Sequence, residues 1–327
     1  MDPHQILSKA FENAFINDTI AKVITYDYKK NNNSSKIGKI WFVVSQNWGL
    51  IKKIRKIRKF EDSTQILVRE FSNICLLIFS ALTIQHRKYV IFNINHNLKN
   101  IEHQFPLTLY LLAKLGFRFL MLDGFHLKQY IPKSLQRQML FQLFPCDDAH
   151  RPYNPKPSEE SELTVGIVGD FRNEKSPMAT VIDVTNRLQQ IGNVKIKIGA
   201  RSPTPVEEIF SKSKIKVVCT AEKFRYYEFL KNTDIILIFA KRESYFSRHS
   251  GTIMDSVSHG VVVVAPSFPV FESQLNNPIT IGITYNSIAE IDDAIQKAAS
   301  KLSTLRANMP SYRKARETPL KISTYHD

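Results

Sequence analysis

The chain has 327 residues, 43% hydrophobic and 23% charged, and 45 basic against 30 acidic side chains give a formal net charge of +15. That length accommodates about two domains of ordinary size, and the composition excludes a disordered or fibrous chain. No apolar run reaches the roughly 20 residues of a bilayer-spanning helix, and the longest, over 74–84, is interrupted by Ser80 and Thr83. Residues 1–18 are polar and carry acids where a signal peptide has a basic stretch and an apolar core, so none is expected. Cys75, Cys146 and Cys219 are odd in number, far apart and without metal-ligand spacing, which argues against a disulfide framework. A reduced, cytoplasmic protein without a resident metal is the expectation. The charge is uneven, with an excess of +10 in residues 1–150 and +5 in the remainder. Such an excess suits an anionic partner: nucleic acid, a phosphorylated ligand or an acidic membrane surface.

In the first half, apolar runs over 40–44, 89–94 and 117–122 predict strands, and 71–84 and 105–115 predict helices between them. Residues 31–35 form a polar loop. The run from Trp48 to Phe60 places Ile51, Ile54 and Ile57 three residues apart among Lys52, Lys53, Arg55, Lys56, Arg58 and Lys59. As a helix it has an apolar stripe edged by six cations, the pattern of a segment lying on an anionic bilayer at the inner face of the cell membrane. The same pattern serves an ordinary helix that packs through its isoleucines. No nucleic-acid reader motif accompanies it, which disfavours nucleic acid as the partner.

Three prolines and a polar run over 151–161 break the pattern and read as a linker. The expected division is a first domain over 1–152, a linker over 153–162, a second domain over 163–310 and a tail over 311–327. Beyond the linker, strands are expected over 163–169, 194–198, 215–219, 234–239 and 261–265. Helices are expected over 177–191, 223–231, 251–259 and 288–302. Strands alternating with helices predict parallel sheets covered on both faces, hence an α/β chain of two Rossmann-like domains. In such sheets ligands bind outside the carboxyl ends of the strands, which directs attention to the loops after Val168, Phe239, Ala265 and Ile94.

Two of those loops carry chemistry. Gly169 closes a strand, and Arg172 and Lys175 follow in a turn that Ser176 can cap before a helix starting at Pro177. Cations beside a helix N-terminus suit a diphosphate, although a solvated basic turn looks the same in sequence. The second loop contains Glu243, Ser247 and Arg248, then Ser250 and Gly251, which open a helix whose N–H groups can hold a phosphate. Asp255 lies one turn further on, where a carboxylate can accept from a ribose diol, and Gly260 ends the helix. An ordinary helix with an exposed aspartate is the alternative. His96, in a loop after a first-half strand, can polarise a reacting hydroxyl or phosphate, or can be a surface or core histidine. Asp147-Asp148 reads as an acidic surface turn.

Together the two segments resemble the donor-binding half of GT-B glycosyltransferases, most closely the retaining family-four type. In that family a strand-ending glycine precedes by six positions a lysine that contacts the donor diphosphate, matched here by Gly169 and Lys175. An acidic residue, a glycine five positions on and a valine-rich strand are matched by Asp255, Gly260 and Val261–Val264. The resemblance covers about residues 163–300. Asp170 stands where the family has arginine, Ser247 where it has the first of two acids, and Asp255 where glutamate is commoner. The resemblance implies two domains facing across a cleft and metal-independent transfer of a hexose from a UDP- or GDP-linked donor to a glycan or lipid-linked acceptor. The resemblance and the reading of the two loops together assign Gly169, Arg172, Lys175, Arg248, Ser250, Gly251 and Asp255 to the donor, with His96 and Glu243 in catalysis. A nucleotide-sugar epimerase of the same plan and a non-catalytic partner subunit are the alternatives.

Overall fold

The computed structural model describes residues 66–68, 73–98, 101–144, 162–169, 171, 178–211, 213 and 215–316. They fall into two compact units that divide between Gln142 and Leu143. The expected strand over 40–44, the basic run from Lys52 to Lys59, the linker and the turn from Arg172 to Lys175 lie outside the described residues.

The first unit contains β1 (Ile66–Val68), α1 (Asn73–Thr83), a 3-10 turn (Ile84–Tyr89), β2 (Val90–Asn93), a second 3-10 turn (Asn95–Asn97) and α2 (Leu107–Lys114). After β3 (Arg118–Leu122), two further 3-10 turns (Phe125–Tyr130, Lys133–Gln138) lead into β4 (Met139–Gln142). The described strands form a parallel sheet in the order β1-β2-β3-β4, with Leu67 beside Ile91, Phe92 beside Phe119 and Leu120 beside Leu140. Val90–Phe92 and Phe119–Leu122 are buried on both faces, which is why they read as unbroken apolar runs. Phe92 anchors the core, edge-on to Phe79 at 5.9 Å and 5.6 Å from Phe117. The buried Asn95 amide then ties the ends of two strands together. Its Nδ2 donates to the Leu122 carbonyl and its Oδ1 accepts from the Leu122 N–H, both at 2.9 Å. β1 and β4 were not anticipated, because three and four residues are too few to show a period.

The second unit runs β5 (Leu163–Gly169), α3 (Met178–Leu188), β6 (Val194–Ala200), α4 (Thr204–Phe210), β7 (Lys216–Cys219), α5 (Lys223–Lys231) and β8 (Ile235–Leu237). It continues through α6 (Arg242–Tyr245), α7 (Gly251–Ser258), β9 (Val262–Pro266), α8 (Pro269–Asn276), β10 (Gly282–Tyr285), a 3-10 turn (Ile288–Glu290), α9 (Ile291–Ser300) and α10 (Leu302–Arg316). Its sheet is six-stranded and parallel, in the order β10-β9-β8-β5-β6-β7. This is the doubly wound Rossmann order, with the direction of winding reversing between β5 and β8. The expected α/β class with two parallel-sheet domains is therefore observed.

One buried pair organises the lower edge of that reversal. Asp234, immediately before β8, accepts the Thr164 N–H of β5 at Oδ2 (2.9 Å) and the Arg306 Nη2 of α10 at Oδ1 (2.9 Å). Its backbone pairs with Thr164 and with Val262 of β9. Arg306 adds a bond from Nε to the Gly260 carbonyl (3.0 Å). Gly260 has φ of 71°, the left-handed conformation that stops α7 where the sequence predicts.

The end of the chain differs from expectation. The helix expected over 288–302 is instead a 3-10 turn, α9 and α10, and α10 continues past 310 to Arg316. Its last turn belongs to the core: Tyr312 and Arg316 are buried. Arg316 Nη1 donates to the Phe144 carbonyl (3.0 Å) and Nη2 to Asn277 (2.7 Å) and Ser273 (3.2 Å). Phe144 is thereby placed in the second unit, although it precedes the expected linker.

Removing one member of the Asp234–Arg306 pair strands the other charge among strand backbones. Arg306→Ala should lower unfolding stability by about 3–5 kcal/mol in urea titrations. Arg306→Ala combined with Asp234→Asn should cost less than the sum of the single changes. A loss below about 1 kcal/mol in the single variant would mean that the pair is not holding the strands.

Candidate functional site

The strand-order reversal places two loops side by side at the carboxyl edge of the second sheet. β5 leaves the sheet at Gly169, and β8, its neighbour through Ile167 and Leu237, leaves towards α6 and α7. The exit from β8 is fixed: the Ile238 N–H donates to Val264 (2.9 Å), and the buried Tyr285 hydroxyl donates to the Ile238 carbonyl (2.9 Å). The chain then makes the single turn of α6, where Arg242 lies 4.5 Å over the Phe246 ring.

α7 starts at Ser250, whose extended backbone (φ −108°, ψ 121°) is that of an N-cap but whose hydroxyl makes no capping bond. Its position is set from α8 by the fully buried Gln274. Gln274 Oε1 accepts the Ser250 N–H at 2.7 Å, and Nε2 donates to the Ser250 carbonyl at 3.2 Å. The Ser250 N–H, expected among the groups available to a phosphate, is thus committed to the protein. The N–H groups of the first turn, from Gly251 onward, remain to serve an anion. Arg248, two residues before the cap, has a buried Nε with no hydrogen-bond partner.

Gly169 and Gly251 border this space. Neither has positive φ, and a Cβ added at either would meet no atom within 4 Å. Neither turn geometry nor packing demands glycine there, and the missing side chains leave room for a ligand to approach the backbone.

Asp255 follows one turn into α7, half-buried, with Oδ2 accepting from the Tyr226 hydroxyl of α5 at 3.1 Å. The Asp255 carbonyl oxygen lies 2.7 Å from His259 Nδ1, and the His259 ring stacks at 4.8 Å on Tyr227. Burial first, and then the adjacent carboxylate, pushes the Tyr226 phenol well above its ordinary value. Tyr226 was missed in the sequence as a site residue. Its helix was placed correctly, but nothing in the local pattern links it to an aspartate 29 positions later.

Of the expected site residues, the second unit brings Gly169, Arg248, Ser250, Gly251 and Asp255 to the two loops at the reversal. Glu243 is on the same segment, exposed on α6, and the buried Ser247 stands four residues after it. His96 lies in the 3-10 turn after β2 of the first unit. Arg172 and Lys175 fall outside the described residues, as do Lys52, Lys53, Arg55, Lys56, Arg58 and Lys59.

The sequence matches no protein-family model and no curated protein. Solved structures do match. HepE of Anabaena in complex with UDP-glucose aligns over 85% of this chain and 79% of its own, at 12% identity and a TM-score of 0.54. A glycosyltransferase from Rickettsia africae aligns over 91% and 83%, at 12% identity and a TM-score of 0.55. The catalytic domain of starch synthase IV from Arabidopsis thaliana, bound to ADP and acarbose, aligns over 89% and 75%, at 8% identity and a TM-score of 0.56.

The Tyr226–Asp255 contact and the buried Tyr285 make a prediction about pH. Burial raises Tyr285 as well. Above about pH 10 the phenols of the unfolded chain ionise while these two stay protonated, so the folded state binds more protons. Stability is therefore full below about pH 10 and falls as pH rises towards the folded-state values. Tyr226→Phe removes one of the two groups, so the decline of the urea midpoint above about pH 10 should be shallower than in the wild type. An unchanged slope would place Tyr226 in water.

Proposed function

From the GT-B fold that the chain shares with solved glycosyltransferases, we propose that it transfers a sugar from a UDP- or GDP-linked donor to a glycan or lipid-linked acceptor. The observation that carries this reading is Asp255, held by Tyr226 one turn inside the uncapped start of α7 at the reversal of strand order. A nucleoside diphosphate fits that arrangement. Its phosphates meet the first-turn N–H groups of α7 and the guanidinium of Arg248, and its ribose hydroxyls donate to the Asp255 carboxylate. Gly169 and Gly251 let the ligand come close, and Arg172 and Lys175 add positive charge from the β5 loop.

In this reading the bond broken is that between the anomeric carbon and the diphosphate. The negative charge that gathers on the leaving diphosphate is stabilised by fixed N–H groups and cations, a role that needs no metal. Glu243, near the place of the family's first acid, and His96, toward the acceptor, are the residues proposed to act in catalysis. Retention of configuration follows from the family-four resemblance of Gly169, Lys175, Asp255 and Gly260. The +10 excess in residues 1–150 supports an acceptor at an anionic membrane surface and a protein working at its cytoplasmic face.

A second reading, a non-catalytic partner subunit, is favoured by one observation. The buried Ser247 stands where the family pattern has an acid, and Glu243 is exposed four residues away.

Incubation with a panel of UDP- and GDP-sugars separates the two. Transfer or slow hydrolysis supports the enzyme, and nucleotide binding without turnover supports the subunit. Asp255→Asn should weaken binding of the preferred ribonucleotide about tenfold, and that of its 2′,3′-dideoxy counterpart much less. Lys175→Ala should weaken both by about 1.5–3 kcal/mol in calorimetry through the diphosphate. No nucleotide binding by the folded wild-type chain would overturn the whole reading.

A further inference from the structure

Two neighbouring helices of the first unit are apolar on both faces. The inner faces supply the core: Leu76 and Phe79 from α1, and Leu109, Leu112 and Ala113 from α2. The outer faces are apolar too. Leu107, Leu111 and Leu115 are 65%, 50% and 52% exposed, and Leu77 of α1 is 46% exposed. Leucines four apart drift only about 40° around a helix per step, so Leu107 and Leu111 of α2 and Leu115 at its C-cap form one ridge. α1 contains no charged residue, and α2 contains one, Lys114. An apolar outer face of this extent marks an interaction surface.

The rim of the ridge is cationic. Arg87 and Lys88 are exposed in the 3-10 turn that continues α1. The Arg87 side chain abuts Gly116 just beyond α2, with Nε 3.3 Å from where a Cβ would sit. Exposed Lys114 lies one turn after Leu111. Between positions 71 and 122 the sequence has five basic residues and a single acid, Glu102. Pairing this face with a second copy of itself would set cationic rims against each other with fewer acids than cations in the stretch to meet them. An anionic bilayer meets both requirements, covering the leucines with acyl chains and the rim with head groups.

We propose that the outer face of α1 and α2 docks on an anionic phospholipid surface, with the leucine ridge entering the interface and Arg87, Lys88 and Lys114 at head-group level. No helix among the described residues is long and apolar enough to cross a membrane. The proposal rests on the membrane-surface part of the reading above and names the face that docks; vesicle binding and nucleotide binding are read in separate experiments, so the failure of one is distinguishable from the failure of the other.

Cosedimentation of the full chain with vesicles of phosphatidylcholine, with and without phosphatidylglycerol, tests it. The wild type should bind the mixed vesicles, bind pure phosphatidylcholine weakly, and lose binding as salt rises. The variant Leu107→Gln, Leu111→Gln, Leu115→Gln changes only exposed positions. It should keep its circular dichroism and bind mixed vesicles at least about tenfold more weakly. Leu77→Gln alone should give a smaller loss in the same direction. Absence of wild-type binding at low salt overturns the proposal, as does undiminished binding by the folded triple variant. A wild-type dimer in light scattering that the triple variant converts to monomer, without vesicle binding, would overturn it in favour of a second copy.

Discussion

The second unit depends on a carboxylate that serves three strands at once. Asp234 receives the Thr164 N–H of β5 and the Arg306 guanidinium of α10, while its backbone continues the ladder to β9. Such a pair contributes little net stability against apolar residues of equal size, because both charges are removed from water. Its effect is on arrangement. With β5, β8 and β9 locked at their amino ends, the reversal of strand order has a rigid base, and the loops at the opposite ends carry the variable chemistry.

A second set of buried polar contacts extends that rigidity to the site. Tyr312 and Arg316 on α10 hold α8 through the carbonyls of Gln274, Ser273 and Asn277. Gln274 in turn holds both backbone groups of Ser250, the residue that sets where α7 begins. A neutral amide does this better than a charged side chain would: it supplies one donor and one acceptor to the two backbone groups without a buried charge. The first unit repeats the device, with Asn95 holding both backbone groups of Leu122 at the ends of β2 and β3. In both units a buried carboxamide fixes a loop at the carboxyl ends of a parallel sheet.

The two units use charge and apolar surface differently. In the second unit some cations enter internal networks, as Arg306 and Arg316 do, Arg248 stands at the reversal loop, and others such as Lys195, Arg225 and Lys231 form exposed ion pairs. In the first unit the exposed cations rim a leucine ridge. A net charge of +15 is therefore a composite, and its sum alone does not distinguish a phosphate site from a charged surface.

Elements whose apolar period is complete within a few residues were legible in the sequence. β5, α5 and the start of α7 occur where apolar runs, breakers and Gly251 mark them, because hydrophobic spacing is set by each element's own burial. The strand-ending Gly169 and the position of Asp255 one turn into a helix were equally readable. What tertiary structure alone decided lies in contacts between residues far apart in the chain. Asp234 and Arg306 are separated by 72 positions, Tyr226 and Asp255 by 29, and Ser250 and Gln274 by 24. The side-chain types in each pair are as common on a solvated surface as in a buried network, so composition and period say nothing of them. Helix α10 was misplaced for the same reason: its basic last turn reads as a polar tail, and becomes core only because the Phe144, Ser273 and Asn277 carbonyls await Arg316. Local periodicity determined the elements. The strand order that sets the β5 and β8 loops side by side was decided by packing, since every parallel arrangement buries the same apolar runs and only long-range polar pairs and connections select among them.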